Sequence, residues 1–143
     1  MNLDGFALPV KKLKGTDPVE TLDLSGKYLG VASAVVIASL ISVNGVLTAL
    51  NLSSNSLKDE SVDAVCEAIQ SNKETKLASL NFSYNGIGPV GANAVAAMVA
   101  VTGSLTSLNL SSNHFGAEGA ATLAAALAAN GALTIIWCVS PQT

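Results

Sequence analysis

The segment Gly86-Ile87-Gly88-Pro89-Val90-Gly91 carries the spacing G-x-G-x-x-G. Between a strand and a helix, that spacing lets backbone N–H groups approach a pyrophosphate at the helix N-terminus. The same chemistry calls for an acidic residue about 20 positions further on to hold ribose hydroxyls, and residues 92–117 contain no Asp or Glu. A second constellation is acidic. Asp59, Asp63 and Glu67 fall at i, i+4 and i+8, with Glu60 beside them, which could attract a hard divalent cation. The simpler account is a solvated helix face whose first turn favours negative charge through the macrodipole. Nucleophilic or acid–base chemistry needs a reactive group within reach of a partner. The single His114 sits in a turn, and Cys66 and Cys138 align with small or apolar core positions, so both cysteines read as buried hydrophobes. No two of these groups converge. No catalytic residue, no metal and no cofactor is expected, and the nucleotide-binding reading of Gly86–Gly91 is a minor alternative.

Composition narrows the classes further. Of 143 residues, 50 % are hydrophobic and 12 % charged, with a net charge of -3; this is one folded domain, and a disordered chain would show the opposite balance. All seven basic residues are Lys. The absence of Arg argues against nucleic-acid recognition, where Arg carries most base contacts. Residues 1–76 hold every Lys and nine of the ten acids, whereas residues 77–143 hold only Glu118. Two distant cysteines make no disulfide framework and fit a reducing cytosol. The N-terminus lacks the apolar run of a signal peptide. Val31–Leu50 is uncharged and long enough to span a bilayer, but it contains Ser33, Ser39, Ser42, Asn44, Gly45 and Thr48, so no membrane span is expected.

The elements that must position these residues follow from a repeat. VETLDLSGK, LTALNLSSN, LASLNFSYN and LTSLNLSSN begin at 19, 47, 77 and 105, and a decayed copy, LTIIWC, begins at 133, so the starts lie 28, 30, 28 and 28 residues apart. Leu22/Leu24, Leu50/Leu52, Leu80/Phe82 and Leu108/Leu110 alternate with polar residues, the period of a strand with one buried face. Each strand is followed by a stretch of 3.6-residue periodicity: Ala34, Ile37, Ala38 and Ile41; Val62, Val65, Cys66 and Ile69; Ala120, Leu123, Ala124 and Leu127. Asn or Gly near the ends of these stretches reads as a stop signal.

Strand, turn, helix and turn at 28 residues, with the pattern L-x-x-L-x-L-x-x-N, resembles the leucine-rich repeat, specifically its long ribonuclease-inhibitor-like class, over residues 19–138. The resemblance implies an α/β right-handed solenoid with a parallel sheet on the concave side and helices on the convex side. The expected repeats are 19–46, 47–76, 77–104 and 105–132, with a partial one at 133–143. One strand–helix unit cannot bury its own apolar face, so stacking is required. The family's turn asparagine forms a ladder along the stack; Asn55, Asn85 and Asn113 match it, while position 27 is Lys. Residues 1–18 read as an N-terminal cap, with Phe6, Leu8, Val10 and Leu13 over the open core and Lys11, Lys12 and Lys14 towards water.

The resemblance further implies a non-enzymatic protein-interaction module, often binding through the concave sheet. Here Thr21, Asp23, Ser25, Ala49, Asn51, Ser53, Ser79, Asn81, Ser83, Ser107, Asn109 and Ser111 should face outward, a small and polar set poor in the aromatic and Arg residues of binding hot spots. Asn51, Asn81 and Asn109 also fall in glycosylation sequons, expected to be unmodified. Tyr84 should lie near the rim. On the convex side, where the second repeat has Asp63, Ala64, Glu67, Ala68 and Ser71, the first has Val35, Val36, Ser39, Leu40 and Val43 and the third Asn93, Ala94, Ala97, Met98 and Val101; these form either an exposed apolar face or, with a slight rotation of the helices, a partly buried one. At the C-terminal edge, Ile135, Trp137 and Val139 should share the outer side of an uncovered strand, a site of association. A cytoplasmic homodimer through this edge is therefore expected, with Trp137 near its centre. A structural repeat piece with no ligand of its own is the alternative.

Overall fold

The computed structural model describes residues 2–3, 6–130 and 133–136. Five parallel strands form one sheet in chain order: β3 (Thr21–Asp23), β4 (Ala49–Asn51), β5 (Ser79–Asn81), β6 (Ser107–Asn109) and β7 (Thr134–Ile136). The helices α2 (Val31–Ile41), α3 (Lys58–Ser71), α4 (Pro89–Val101) and α5 (Gly116–Ala129) supply the crossovers that parallel neighbours need. The α/β repeat architecture is the expected one. Register is strict, with Leu22, Leu50, Leu80, Leu108 and Ile135 opposite one another along the sheet. A hairpin of β1 (Asn2–Leu3) and β2 (Phe6–Ala7) and a short helix α1 (Val10–Lys14) precede the sheet; the sequence pattern did not indicate this hairpin.

Alternation places Leu24, Leu52, Phe82 and Leu110 in one continuous core with Ile37, Val65 and Val95 from the helices. The helical positions read from periodicity in α2 and α3 are all buried. At α5 the agreement stops: Leu123 is buried, Leu127 is half-buried and Ala124 is exposed. Every other helix of the stack is flanked on both sides, whereas α5 packs against α4 alone among the described residues. At the other end, Leu8 and Leu13 enter the core while Lys11, Lys12 and Lys14 stay exposed.

Two ladders of asparagine side chains hold the coils together. Nδ2 of Asn55 donates to the carbonyls of Leu24, Leu52 and Ser53, and its Oδ1 accepts from the N–H groups of Lys27 and Leu29. Asn85 donates to Leu52, Phe82 and Ser83, and Asn113 to Phe82, Leu110 and Ser111. Each side chain thus stitches its own turn to the turn before it, and Lys27 takes part through its backbone. The second ladder runs along the helix C-termini. Asn44 donates to the carbonyls of Lys12 and Leu13, Asn72 to those of Ile41 and Asn44, and Asn130 to that of Val99. These are the residues that the sequence offered only as stop signals.

The turns themselves alternate. Gly26, Ser54, Tyr84 and Ser112 share a left-handed conformation, each five positions after its strand begins. A second left-handed residue moves: Tyr28 and Gly86 take it seven positions in, and Lys58 and Gly116 nine positions in. The bonds between coils alternate accordingly. Ser56 and His114 donate their N–H groups to the carbonyls of Leu29 and Ile87, whereas Lys58 donates to that of Asn85.

Replacing Asn85 with Ala strands buried carbonyls in two coils at once. A loss of about 2–4 kcal/mol in unfolding free energy is expected, read as a lower urea midpoint at unchanged slope.

Candidate interaction surface

The G-x-G-x-x-G segment does lie between β5 and α4, but its anion position is already filled. The N–H of Gly88, the residue preceding α4, donates to Oδ1 of Asp59 at 2.6 Å. Asp59 belongs to the first turn of α3, so a carboxylate of the protein sits where a pyrophosphate oxygen would. Gly91 is buried against the same side chain: a Cβ there would lie 2.6 Å from Asp59 Oδ1 and press on Ile87. These glycines therefore serve close helix packing, and Gly86–Gly91 offers no phosphate site. The acidic constellation is dispersed by the same contact. Asp59 turns to α4 while Glu60, Asp63 and Glu67 are exposed, and no group of three metal-ligating side chains assembles among the described residues.

Cys66 is fully buried; burial, with a smaller effect from the Asp63 carboxylate, pushes its thiol well above the ordinary range. A protonated thiol is a poor nucleophile. His114 is exposed, and Cys138 lies outside the described residues.

The concave face presents Asp23, Asn51, Asn81 and Asn109 in one register. Each asparagine Oδ1 accepts the N–H of the residue two positions on, Ser53, Ser83 or Ser111, at 2.9–3.0 Å. The geometry is that of an Asx turn, which closes the end of each strand. Their Nδ2 groups make no hydrogen bond among the described residues. Asp23 repeats the pattern: the hydroxyl and N–H of Ser25 hold its carboxyl below the usual value. A shallow depression of about 250 Å³ is lined by Thr21, Asp23, Ala49, Asn51, Ser79 and Asn81, with Leu22 and Leu50 at its floor. Ser83 departs from the expected outward set. It is buried, with its hydroxyl donating to Asn81 Oδ1.

Of the candidate contact residues, Tyr84 is 61 % exposed and Val101 65 % exposed. They occupy opposite ends of the third repeat, at the turn after β5 and at the last residue of α4, so they form no common surface. Met98 is 0 % exposed and is withdrawn from the surface set. Helix α4 is packed by α3 on one side and α5 on the other, which widens its buried stripe to include Met98 beside Val95 and Val99. Ile135 lies in β7, but the register there is one residue off the repeat alignment: it pairs with Leu108 of the core row and not with outward Ser107, so it leaves the expected outer set; Trp137 and Val139 lie outside the described residues. Val35 and Val43 are exposed as expected, whereas Val36 and Leu40 are half-buried. Tyr28, at 84 % the most exposed large apolar side chain among the described residues, escaped the sequence reading, as did Val90.

Gly91→Ala should cost about 1–3 kcal/mol through overpacking against Ile87 and Asp59, seen as a lower thermal midpoint. For Cys66, the folded thiol keeps its proton above the ordinary value of 9.0 while the unfolded thiol loses it. Stability is therefore intact below that value and falls as pH rises through it, by up to about 1.4 kcal/mol per pH unit. Urea titrations between pH 8 and 11 should show this slope diminished in Cys66→Ala.

A family model described as leucine-rich repeat matches residues 43–66, 73–96 and 104–124. RAN GTPase-activating protein 2 of Arabidopsis thaliana is 34 % identical over 97 residues, which are 67 % of this chain and 18 % of that protein. The chain thus spans about a fifth of the length of this curated relative. Among solved structures, a leiomodin-1 structure described as actin-binding site 2 superposes with a TM-score of 0.80 at 19 % identity, covering 92 % of this chain and 78 % of that one. The tropomodulin C-terminal domain of Caenorhabditis elegans gives 0.78 at 14 % identity, covering 94 % and 82 %. The repeats matched by sequence are the coils described above, stitched by the asparagines the pattern requires, and the chain belongs to the leucine-rich repeat proteins of the ribonuclease-inhibitor-like class.

Proposed function

We propose that the chain is a non-enzymatic protein-interaction module that associates with a second copy of itself through the C-terminal edge of its sheet. The open side of β7 carries this reading: among the described residues β7 pairs with β6 and with no other strand. A strand edge offers a row of unpaired N–H and C=O groups that another chain can satisfy. In a two-fold dimer the two β7 edges meet antiparallel. Trp137 and Val139, which follow β7 in sequence, are the residues proposed to supply the apolar seam, and residues 77–143 carry a single charge, Glu118.

Residues 1–18 act as the cap of the opposite, solvated end, and residues 19–143 as the repeat domain. The polar, shallow concave face supports a protein partner over a small substrate. The solved neighbour described as an actin-binding site supports the same class of partner without identifying it. Among the described residues no helix is long and apolar enough to cross a membrane. The free, buried Cys66 suits a reducing compartment such as the cytoplasm.

Light scattering at micromolar concentration should give the mass of two chains, and Trp137→Glu should give the mass of one. A wild-type monomer would remove self-association and favour a structural repeat piece with no partner of its own.

A further inference from the structure

The second asparagine ladder has a missing rung. Asn44, Asn72 and Asn130 occupy equivalent positions at the ends of α2, α3 and α5, and the end of α4 carries Thr102 instead. Thr102 is 5 % exposed, and among the described residues its hydroxyl has no hydrogen-bond partner. One coil earlier, the carboxamide of Asn72 reaches the carbonyls of Ile41 at 2.9 Å and Asn44 at 2.8 Å. By repeat position the corresponding carbonyls in the next coil are those of Ile69 and Asn72, which line the same cleft as Thr102. Among the described residues neither receives a side-chain donor; they take long backbone bonds, from Asn72 N–H at 3.3 Å and Thr75 N–H at 3.4 Å.

The neighbouring turn has opened at the same place. Four residues, Lys73-Glu74-Thr75-Lys76, separate Asn72 from Leu77, where two separate Asn44 from Leu47 and Thr102 from Leu105. Between the long turn and the short one lies a cleft of about 310 Å³, lined by Gln70, Asn72, Lys73, Thr75, Thr102 and Ser104, with Ile69 and Val101 as its apolar wall. A cleft of this size accommodates a side chain together with part of its backbone.

We propose that this cleft receives the carboxamide of a glutamine or asparagine side chain from a partner protein. This rests on the reading of the chain as a protein-interaction module and names one anchor of its partner. A carboxamide is the group that completes the ladder at the equivalent junctions, because it donates twice and accepts at one oxygen. Its N–H groups answer the helix-end carbonyls of Ile69 and Asn72. Its oxygen accepts from the Thr102 hydroxyl and faces Lys73 at the rim. A carboxylate would bring negative charge to two helix C-termini, where it is disfavoured, and an aliphatic side chain would leave Thr102 unsatisfied.

The test uses N-acetylglutamine methylamide, with the glutamate and leucine analogues as controls, titrated into the isotope-labelled whole chain and followed through the backbone amides of Lys73, Thr75, Gly103 and Ser104. Saturable shifts are expected with the glutamine compound, and binding about tenfold or more weaker with both controls. Thr102→Asn supplies the missing rung internally, so it should raise the thermal midpoint and abolish these shifts. No saturation by the glutamine compound, equal response to either control, or full binding by a folded Thr102→Asn would each overturn the proposal. Because the cleft lies away from β7, an intact dimer that ignores glutamine sinks the cleft alone. A monomer that still binds it sinks the edge contact alone.

Discussion

Buried turns are the constraint on which this molecule depends. Every coil changes direction twice, and at each change backbone carbonyls and N–H groups point inward where neither helix nor sheet can bond them. Asparagine answers both ends, with a carboxamide short enough to stay in the turn and rich enough to bridge two coils. Once Asn55, Asn85 and Asn113 fix one edge and Asn44 and Asn72 the other, the spacing between coils is set. Leucine then stacks on leucine in register, and the core is a consequence of the ladders as much as their cause. The same constraint governs where length can vary: the extra residues of the second repeat sit in 73–76, beyond the last ladder contact of Asn72.

Much of this was legible in the chain because period and burial are tightly coupled. Leu50 and Leu52 announce a strand, Val62, Val65, Cys66 and Ile69 a helix, and recurrence at 28 residues announces the stack. Legibility failed where one residue type serves two purposes. Asn44, Asn72 and Asn130 look like ordinary helix stops, and nothing local says that their amides reach into the preceding coil. Met98 falls at a position that is wet in an isolated amphipathic helix and dry in one pressed from both sides.

The glycines teach the same lesson about alignment. Gly88 and Gly116 hold the same place in consecutive repeats, yet Gly88 is extended at φ -105° and Gly116 left-handed at φ +68°. Gly88 and Gly91 are small because Asp59 must reach the start of α4, a reason that comes from the preceding coil and leaves no trace in the motif itself. A phosphate-binding spacing and a helix-packing spacing are the same letters, and only the occupant of the N–H groups separates them.

The alternating turns mean that this solenoid counts in twos. The first and third coils are one part and the second and fourth another, joined by two kinds of seam: Leu29 to Ser56 and Ile87 to His114 on one hand, Asn85 to Lys58 on the other. A single coil is therefore not an interchangeable brick. Removing residues 47–104 as a block would bring an odd coil against an even one and preserve the order of seams. Removing either of those coils alone would bring like against like, with donors and acceptors that do not face. A step of two repeats thus keeps the order of seams, and a step of one does not.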